Sequence, residues 1–342
     1  MTSSFSNNFT KIILITSKNH TNKGVETSSI GLLIKPNEYR VTIIKIDPCF
    51  NYNFAMLDQS KYGEPFVFDD GDIAHFNFGI FQRFLNQTFT TKHNLTNGKI
   101  SEFILNKERK GKYKGNKIRT SSNAIIEWIN DVCNIPFDEK NSLPHVCIIE
   151  FCDFIDDDEM AAFTKALKNI KRDKKEFMHI HISEIVGGDS AFVLTDVQNW
   201  RNKGWNADLI ICKSKDKISE DVKEEIAAHS SLQSHQIIYL LKTDNINQVP
   251  LLLHQQNIYP LIADKLELEH RPNLKIVLQE WSNIVKSGDS YKPIVKVAIV
   301  GKYLNKLLPE DQFFRDSYSS VINALNDAGI GAYCKVEINV SK

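Results

Sequence analysis

Six short, nearly unbroken apolar runs punctuate the chain: KIILITS (11–17), RVTIIKID (40–47), PHVCIIEF (144–151), FMHIHISEIV (177–186), ADLIICKS (207–214) and QIIYLL (236–241). They are rich in β-branched residues and show little alternation with polar ones, the pattern of strands buried on both faces in a parallel sheet. Between them, residues 122–133, 158–170, 191–203 and 219–228 read as helices. Alternating strands and helices predict an α/β fold, a doubly wound and mostly parallel sheet, over residues 1–285. A cluster of turn residues, SGDSYKP, predicts a linker at 286–294. A further strand, VKVAIVGKY (295–303), and a helix over 316–328 then read as the start of a second α/β unit, 295–342, too short to complete one.

Length and composition agree with this picture and narrow the function. The chain has 342 residues, 42% hydrophobic and 25% charged, an ordinary globular mix. Forty-two basic residues balance forty-two acidic ones, so the net charge is zero, which argues against nucleic acid as the principal partner. The apolar run Ile12–Ile15 is too short for a signal core or a membrane span. Six cysteines stand singly, with no CxxC pair, and several lie in strand-like runs. They are expected to be reduced thiols of a cytoplasmic protein that meets no membrane.

In a doubly wound sheet, ligands gather at the carboxyl ends of the strands, and the loop after the first strand commonly meets phosphate. Here that loop and the following turn read TSKNHTNKGVETSSIG (16–31). Lys23 and Gly24 stand just before a predicted helix, but no GxxxxGK[ST] motif occurs. The loop by itself suits a solvated connector as well as a phosphate site. His179 and His181 alternate along a strand and share one face, which fits a polar sheet face better than a metal pair. The basic stretch KNIKRDKKEF (168–177) has no accompanying aromatic series and reads as a solvated helix end.

Longer motifs say more. KIDP (45–48), YGEPFVFDDG (62–71), GIFQRF (79–84), NLTNGKI (94–100) and NKERKGKYKG (106–115), followed by VGKY (300–303) and SYSSVINAL (317–325), resemble consecutive motifs of the CTP synthase family. The resemblance runs collinearly along essentially the whole chain. It implies a synthetase (amidoligase) domain with a P-loop NTPase-like fold, followed by the opening of a glutamine amidotransferase domain without its cysteine nucleophile. It further implies ATP and Mg2+ as cofactors, UTP and CTP as nucleotide partners, and oligomers, either of this chain alone or with full-length CTP synthase. The family phosphorylates the uracil O4 of UTP and displaces that phosphate with ammonia. Such chemistry needs cations around phosphate and hard carboxylate oxygens for magnesium.

Carried over by position, the resemblance assigns Lys23 and Lys45 to catalysis. It assigns Lys23, Gly24, Asp157 and Glu159 to nucleotide binding, and Glu150 and Asn77 to the metal. Asp157 and Glu159 also suit the acidic first turn of a helix. The departures cluster where charge is handled. Asn77 replaces the family's second magnesium aspartate, and Cys152-Asp153-Phe154 replaces a GGT segment. DSAFVL (189–194) replaces a lysine-bearing substrate loop, Glu225 takes the place of a lysine, and Lys242 that of an aspartate. A lysine turned to glutamate reverses the local field instead of weakening it. The expectation is a CTP synthase-like fold with strongly reduced or absent synthetase activity and no glutaminase activity of its own.

Overall fold

The computed structural model describes residues 10–17, 23–114, 121–137, 141–151, 158–171, 176–243, 245–269, 274–289, 293–301 and 317–341. Strand β1 (Lys11–Ser17) leads to helix α1 (Gly24–Ile34) and strand β2 (Val41–Asp47). A one-turn helix, α2 (Gln59–Tyr62), precedes a small antiparallel hairpin, β3 (Pro65–Val67) and β4 (Ile73–His75), and then α3 (Asn77–Leu85). There follow β5 (Asn94–Thr96), α4 (Asn97–Arg109), α5 (Ser121–Cys133), β6 (Val146–Phe151) and α6 (Asp158–Ile170). Next come β7 (Phe177–Glu184), α7 (Ala191–Asn202), β8 (Leu209–Ser214), α8 (Glu220–Ser230) and β9 (Ile237–Leu241). The chain continues through α9 (Val249–Gln255), α10 (Ile258–Leu266), α11 (Leu274–Asp289), β10 (Ile294–Val300), α12 (Ser319–Gly331) and β11 (Lys335–Ser341).

Seven strands form one sheet in the order β5-β2-β6-β1-β7-β8-β9, and every ladder in it is parallel. All six apolar runs are strands of this sheet, so the doubly wound α/β expectation holds. Alternate residues of each strand face opposite layers. Ile13, Ile43, Ile148 and Ile180 pack against α1, α3, α9 and α10 on one face. On the other face, Leu14, Ile44, Ile149 and Phe177 pack against α4, α5 and α6, and Ile210 and Cys212 against α7 and α8.

The sheet holds one strand that the hydrophobic pattern did not reveal. β5 is three residues long and contains a single aliphatic residue, Leu95, too little for a recognisable run. The NLTNGKI segment that contains it clamps the loop after β2. The Asn97 amide donates to the Pro48 carbonyl at 2.9 Å, and the Asn97 N–H to the Cys49 carbonyl at 3.0 Å. A Cβ on Gly98 would stand 2.6 Å from the Phe50 carbonyl oxygen, so only glycine permits this approach.

α11 extends the main body as far as Asp289, with Trp281 against Phe84 of α3 at 5.1 Å between ring centroids. β10, α12 and β11 make a single βαβ unit whose two strands pair in parallel. The Ser317 hydroxyl, just before α12, donates to the Gln59 carbonyl at 2.8 Å, and the Ser320 hydroxyl donates to Glu64 at 2.8 Å.

His179 and His181 do share a face, as their alternation implied, and both are buried under α7. Thr16 Oγ1 lies 2.8 Å from His179 Nε2 and 2.9 Å from His181 Nδ1. His181 Nε2 also meets Asp196 at 3.0 Å, and the Ser183 hydroxyl donates to the same carboxylate oxygen at 2.8 Å. These bonds tie the polar face to α7, although Asp196 Oδ1 is buried without a hydrogen-bond partner among the described residues. Among the described residues no group of three or more His, Cys, Asp or Glu is arranged to hold a metal. The described cysteines are all free thiols; burial pushes Cys212 up to about 12, and the neighbouring Cys133 together with burial raises Cys147. Among the described residues no helix is long and apolar enough to cross a membrane.

Burial lowers His254 and, much further, two other histidines, His179 to about 3 and His93 to about 4. His179 and His93 are therefore neutral in the fold at pH 5, whereas an unfolded histidine takes up a proton near pH 6.5. The unfolded chain binds more protons, so the stability these groups allow is complete above pH 7 and declines as pH falls from 6.5 toward 4. Each site contributes a slope of about 1.4 kcal/mol per pH unit within that window. Urea unfolding between pH 7 and 4.5 should show this decline, and His93→Gln should flatten it by about one proton. An unchanged slope in that variant would refute the assignment.

Candidate functional site

β2 and β6 lie side by side in a register that sets Lys45 directly opposite Glu150. Both side chains leave the sheet on the α1 and α3 face, near the carboxyl ends of the strands, and both are buried, at 1% and 0% exposure. Lys45 Nζ reaches Glu150 Oε1 at 2.9 Å. α3 starts at Asn77, whose Nδ2 donates to the same Oε1 at 2.9 Å. From the first turns of α1, the Thr27 hydroxyl donates to Glu150 Oε2 at 2.8 Å. Burial alone would raise the Glu150 carboxyl. Lys45 and Lys23, with hydrogen bonds from Lys45 and Asn77, outweigh it and hold the group below the usual glutamate range.

Lys23 ends the loop after β1 and is the N-cap residue of α1, where its own side chain makes no capping hydrogen bond. Its ammonium, only 3% exposed, donates to the Ser17 hydroxyl at 2.8 Å. Gly24 follows and packs face to face with Asn77. A Cβ there would lie 2.6 Å from Asn77 Cγ, so a side chain is excluded by steric bulk and not by backbone angle. Farther along the same strand edge, Glu26 of α1 pairs with Lys213 of β8 at 2.7 Å.

Five of the residues singled out in the sequence, Lys23, Gly24, Lys45, Asn77 and Glu150, thus come together in one buried cluster. Asp157 lies outside the described residues, as does the side chain of Glu159, whose backbone is in the first turn of α6. The replaced segment 152–154 also lies outside them. Sequence reasoning missed Thr27, Ser17 and the Glu26–Lys213 pair. Polar residues in the first turns of a helix that is otherwise buried were the available signal, but nothing in the sequence tied Thr27 to residue 150. Asp70 and Asp72 are engaged elsewhere. Asp70 accepts the Thr91 N–H at 2.9 Å, and Asp72 accepts the Thr91 hydroxyl at 2.6 Å and pairs with Lys99. Glu225, where the resemblance leads one to expect a lysine, accepts the Ser190 hydroxyl beside the start of α7 at 2.5 Å.

The family model described as "CTP synthase N-terminus" matches residues 11–268. The CTP synthase of Candida glabrata is 34% identical over 332 residues, covering 92% of this chain and 56% of that protein. CTP synthase 1 of Homo sapiens is 32% identical over 327 residues, covering 92% of this chain and 54% of that protein. The chain belongs to the CTP synthase family. It spans little more than half the length of these relatives. Among solved structures, the 54 kDa signal recognition particle protein of Aeropyrum pernix in complex with GDP is similar over 83% of this chain and 52% of that one. The identity is 9% and the TM-score 0.37, a likeness too slight to bear on function.

Magnesium, which the family resemblance implies, does not fit the residues present. A magnesium site wants oxygen donors and usually one or two carboxylates. Among the described residues this cluster offers a single carboxylate between two lysines, and both of its oxygens already accept hydrogen bonds. The arrangement can hold negative charge near Lys23 and the α1 N-terminus, where cation and helix dipole act together.

Because a buried ion pair is fragile to loss of one partner, Glu150→Ala, which strands Lys45, should destabilise the protein by about 3–5 kcal/mol. The double variant Lys45→Met with Glu150→Leu should recover much of that. Equilibrium urea unfolding measures both, and a loss below about 1 kcal/mol in the single variant would contradict the burial argument. Gly24→Ala should lose about 1–3 kcal/mol by overpacking against Asn77.

Proposed function

We propose that this protein is a nucleotide-binding member of the CTP synthase family in which ATP-dependent amination of UTP to CTP is strongly reduced or lost. The observation that carries this reading is the internal engagement of Glu150: Lys45 and Asn77 bond one carboxylate oxygen and Thr27 the other. Lys23 and Gly24 at the start of α1 support retention of a phosphate-binding role for ATP. Loss of the lysine-bearing substrate loop, and Glu225 in a lysine's place, support loss of turnover. Each missing charge contact removes about 2–4 kcal/mol of transition-state stabilisation, so three such losses lower the rate by a factor of about 10⁴ or more.

A second reading, a regulatory subunit assembling with itself or with full-length CTP synthase in the cytoplasm, is favoured by one surface feature. The loop clamped by the NLTNGKI segment exposes Phe50 (67%), Tyr52 (48%) and Met56 (91%). Aromatic and methionine side chains at such exposure suit a protein partner better than water.

Calorimetry with ATP and UTP, followed by a CTP-formation assay with ammonium salt, tests the first reading. The expected outcome is ATP binding, weakened at least tenfold by Lys23→Ala, with turnover no more than about a thousandth of an active family member's. Absence of ATP binding, or ordinary turnover, would overturn it. Native mass measurement of the chain mixed with a full-length CTP synthase tests the second. A joint complex that Met56→Asp disrupts is the expected result, and no joint species at micromolar concentration would end that reading.

A further inference from the structure

The mismatch between this cluster and a divalent cation has a constructive side, and it rests on the nucleotide-binding reading above. Asn77 is buried at 2% exposure, and its orientation is fixed by hydrogen-bond logic. Turned the other way, its carbonyl oxygen would face Glu150 Oε1, two acceptors in contact, whereas the observed orientation places Nδ2 as donor at 2.9 Å. The amide N–H thus sits on Glu150 Oε1, and Lys45 Nζ occupies the same oxygen from the sheet side at 2.9 Å. Thr27 takes the other oxygen. The positive charge that a cation would supply is already built in, as the ammonium groups of Lys45 and Lys23. Among the described residues, Asn77 Oδ1 is buried without a hydrogen-bond partner, beside Gly24. It is a single neutral acceptor, able to take a water or a ligand N–H, and too weak by itself to strip water from magnesium.

We infer that Asn77 converts a divalent-cation position into a fixed internal hydrogen bond, leaving a polyphosphate site that draws its positive charge from Lys23 and Lys45 and works without a protein-held metal. Two consequences follow. The chain by itself does not retain a divalent ion, and its affinity for a polyphosphate is nearly the same with magnesium as with a chelator. Restoring a carboxylate at position 77 places two carboxylates together in the site and brings the cation back.

The test uses Mn2+ as the probe metal, read by loss of the free-ion electron paramagnetic resonance signal, on the full chain and on Asn77→Asp. The expected result is no bound Mn2+ up to about 1 mM in the unaltered protein and at least tenfold tighter binding in Asn77→Asp. Sub-millimolar Mn2+ binding by the unaltered protein that Glu150→Gln abolishes would overturn the inference. So would an Asn77→Asp variant that is folded, by circular dichroism, yet gains no Mn2+ affinity. If that variant does not fold, the unaltered protein with and without Glu150→Gln decides by itself. A parallel calorimetric titration with ATP should give affinities within about threefold in magnesium and in EDTA. A loss greater than tenfold in EDTA also overturns the inference. Absence of ATP binding under both conditions would instead refute the nucleotide-binding reading, while the Mn2+ arm still decides the nature of the metal position.

Discussion

A carboxylate with no exposure to water must be met by positive charge and donors, or it will not stay ionised. Glu150 is that group here, and much of the architecture around the strand ends serves it. The parallel register of β2 against β6 brings Lys45 opposite it, and the sheet's pleat sends both side chains to one face. α1 and α3 then start where Thr27 and Asn77 can complete its hydrogen bonding. If any one of these elements shifted, a charge or a donor would be left unmatched in a low-dielectric interior, so the four elements are fixed relative to one another by one residue.

The same constraint shapes the chemistry. A carboxylate satisfied by protein groups is a structural anion, and the cations that satisfy it also set the field at the α1 N-terminus. Lys23, held on the Ser17 hydroxyl, adds to that field. Farther along, Glu26 and Lys213 join α1 to β8 by a second pair, and Lys99 and Asp72 join α4 to the turn of the small hairpin. Ion pairs thus join strand to strand, helix to strand and helix to hairpin turn around the carboxyl edge of the sheet.

The physical reason that so much of the fold was legible lies in the strands. β1, β2, β6, β7, β8 and β9 are buried on both faces, and burial of that kind demands long apolar, β-branched runs that stand out against any loop. β5 was invisible because three residues at a sheet edge need no such run, and Leu95 alone anchors it. The histidine pair showed its shared face through simple alternation, but its partners, Thr16 five strand positions into β1 and Asp196 on α7, are remote in sequence and could not be read.

For the site, the sequence by itself determined which chemistry-bearing residues exist: a lysine and glycine before the first helix, a lysine ending the second strand, a glutamate ending a later one, and an asparagine in place of an acid. It also determined the family, through collinear motifs. What only the tertiary structure decided is how those groups spend their charge. Coulomb and hydrogen-bond energies depend on distances of about 3 Å, and residues 23, 45, 77 and 150 acquire such distances only when parallel pairing and helix packing bring their elements together. Whether Glu150 faces a metal ion or a lysine is therefore a property of the folded arrangement, set by register and by the direction in which one amide points.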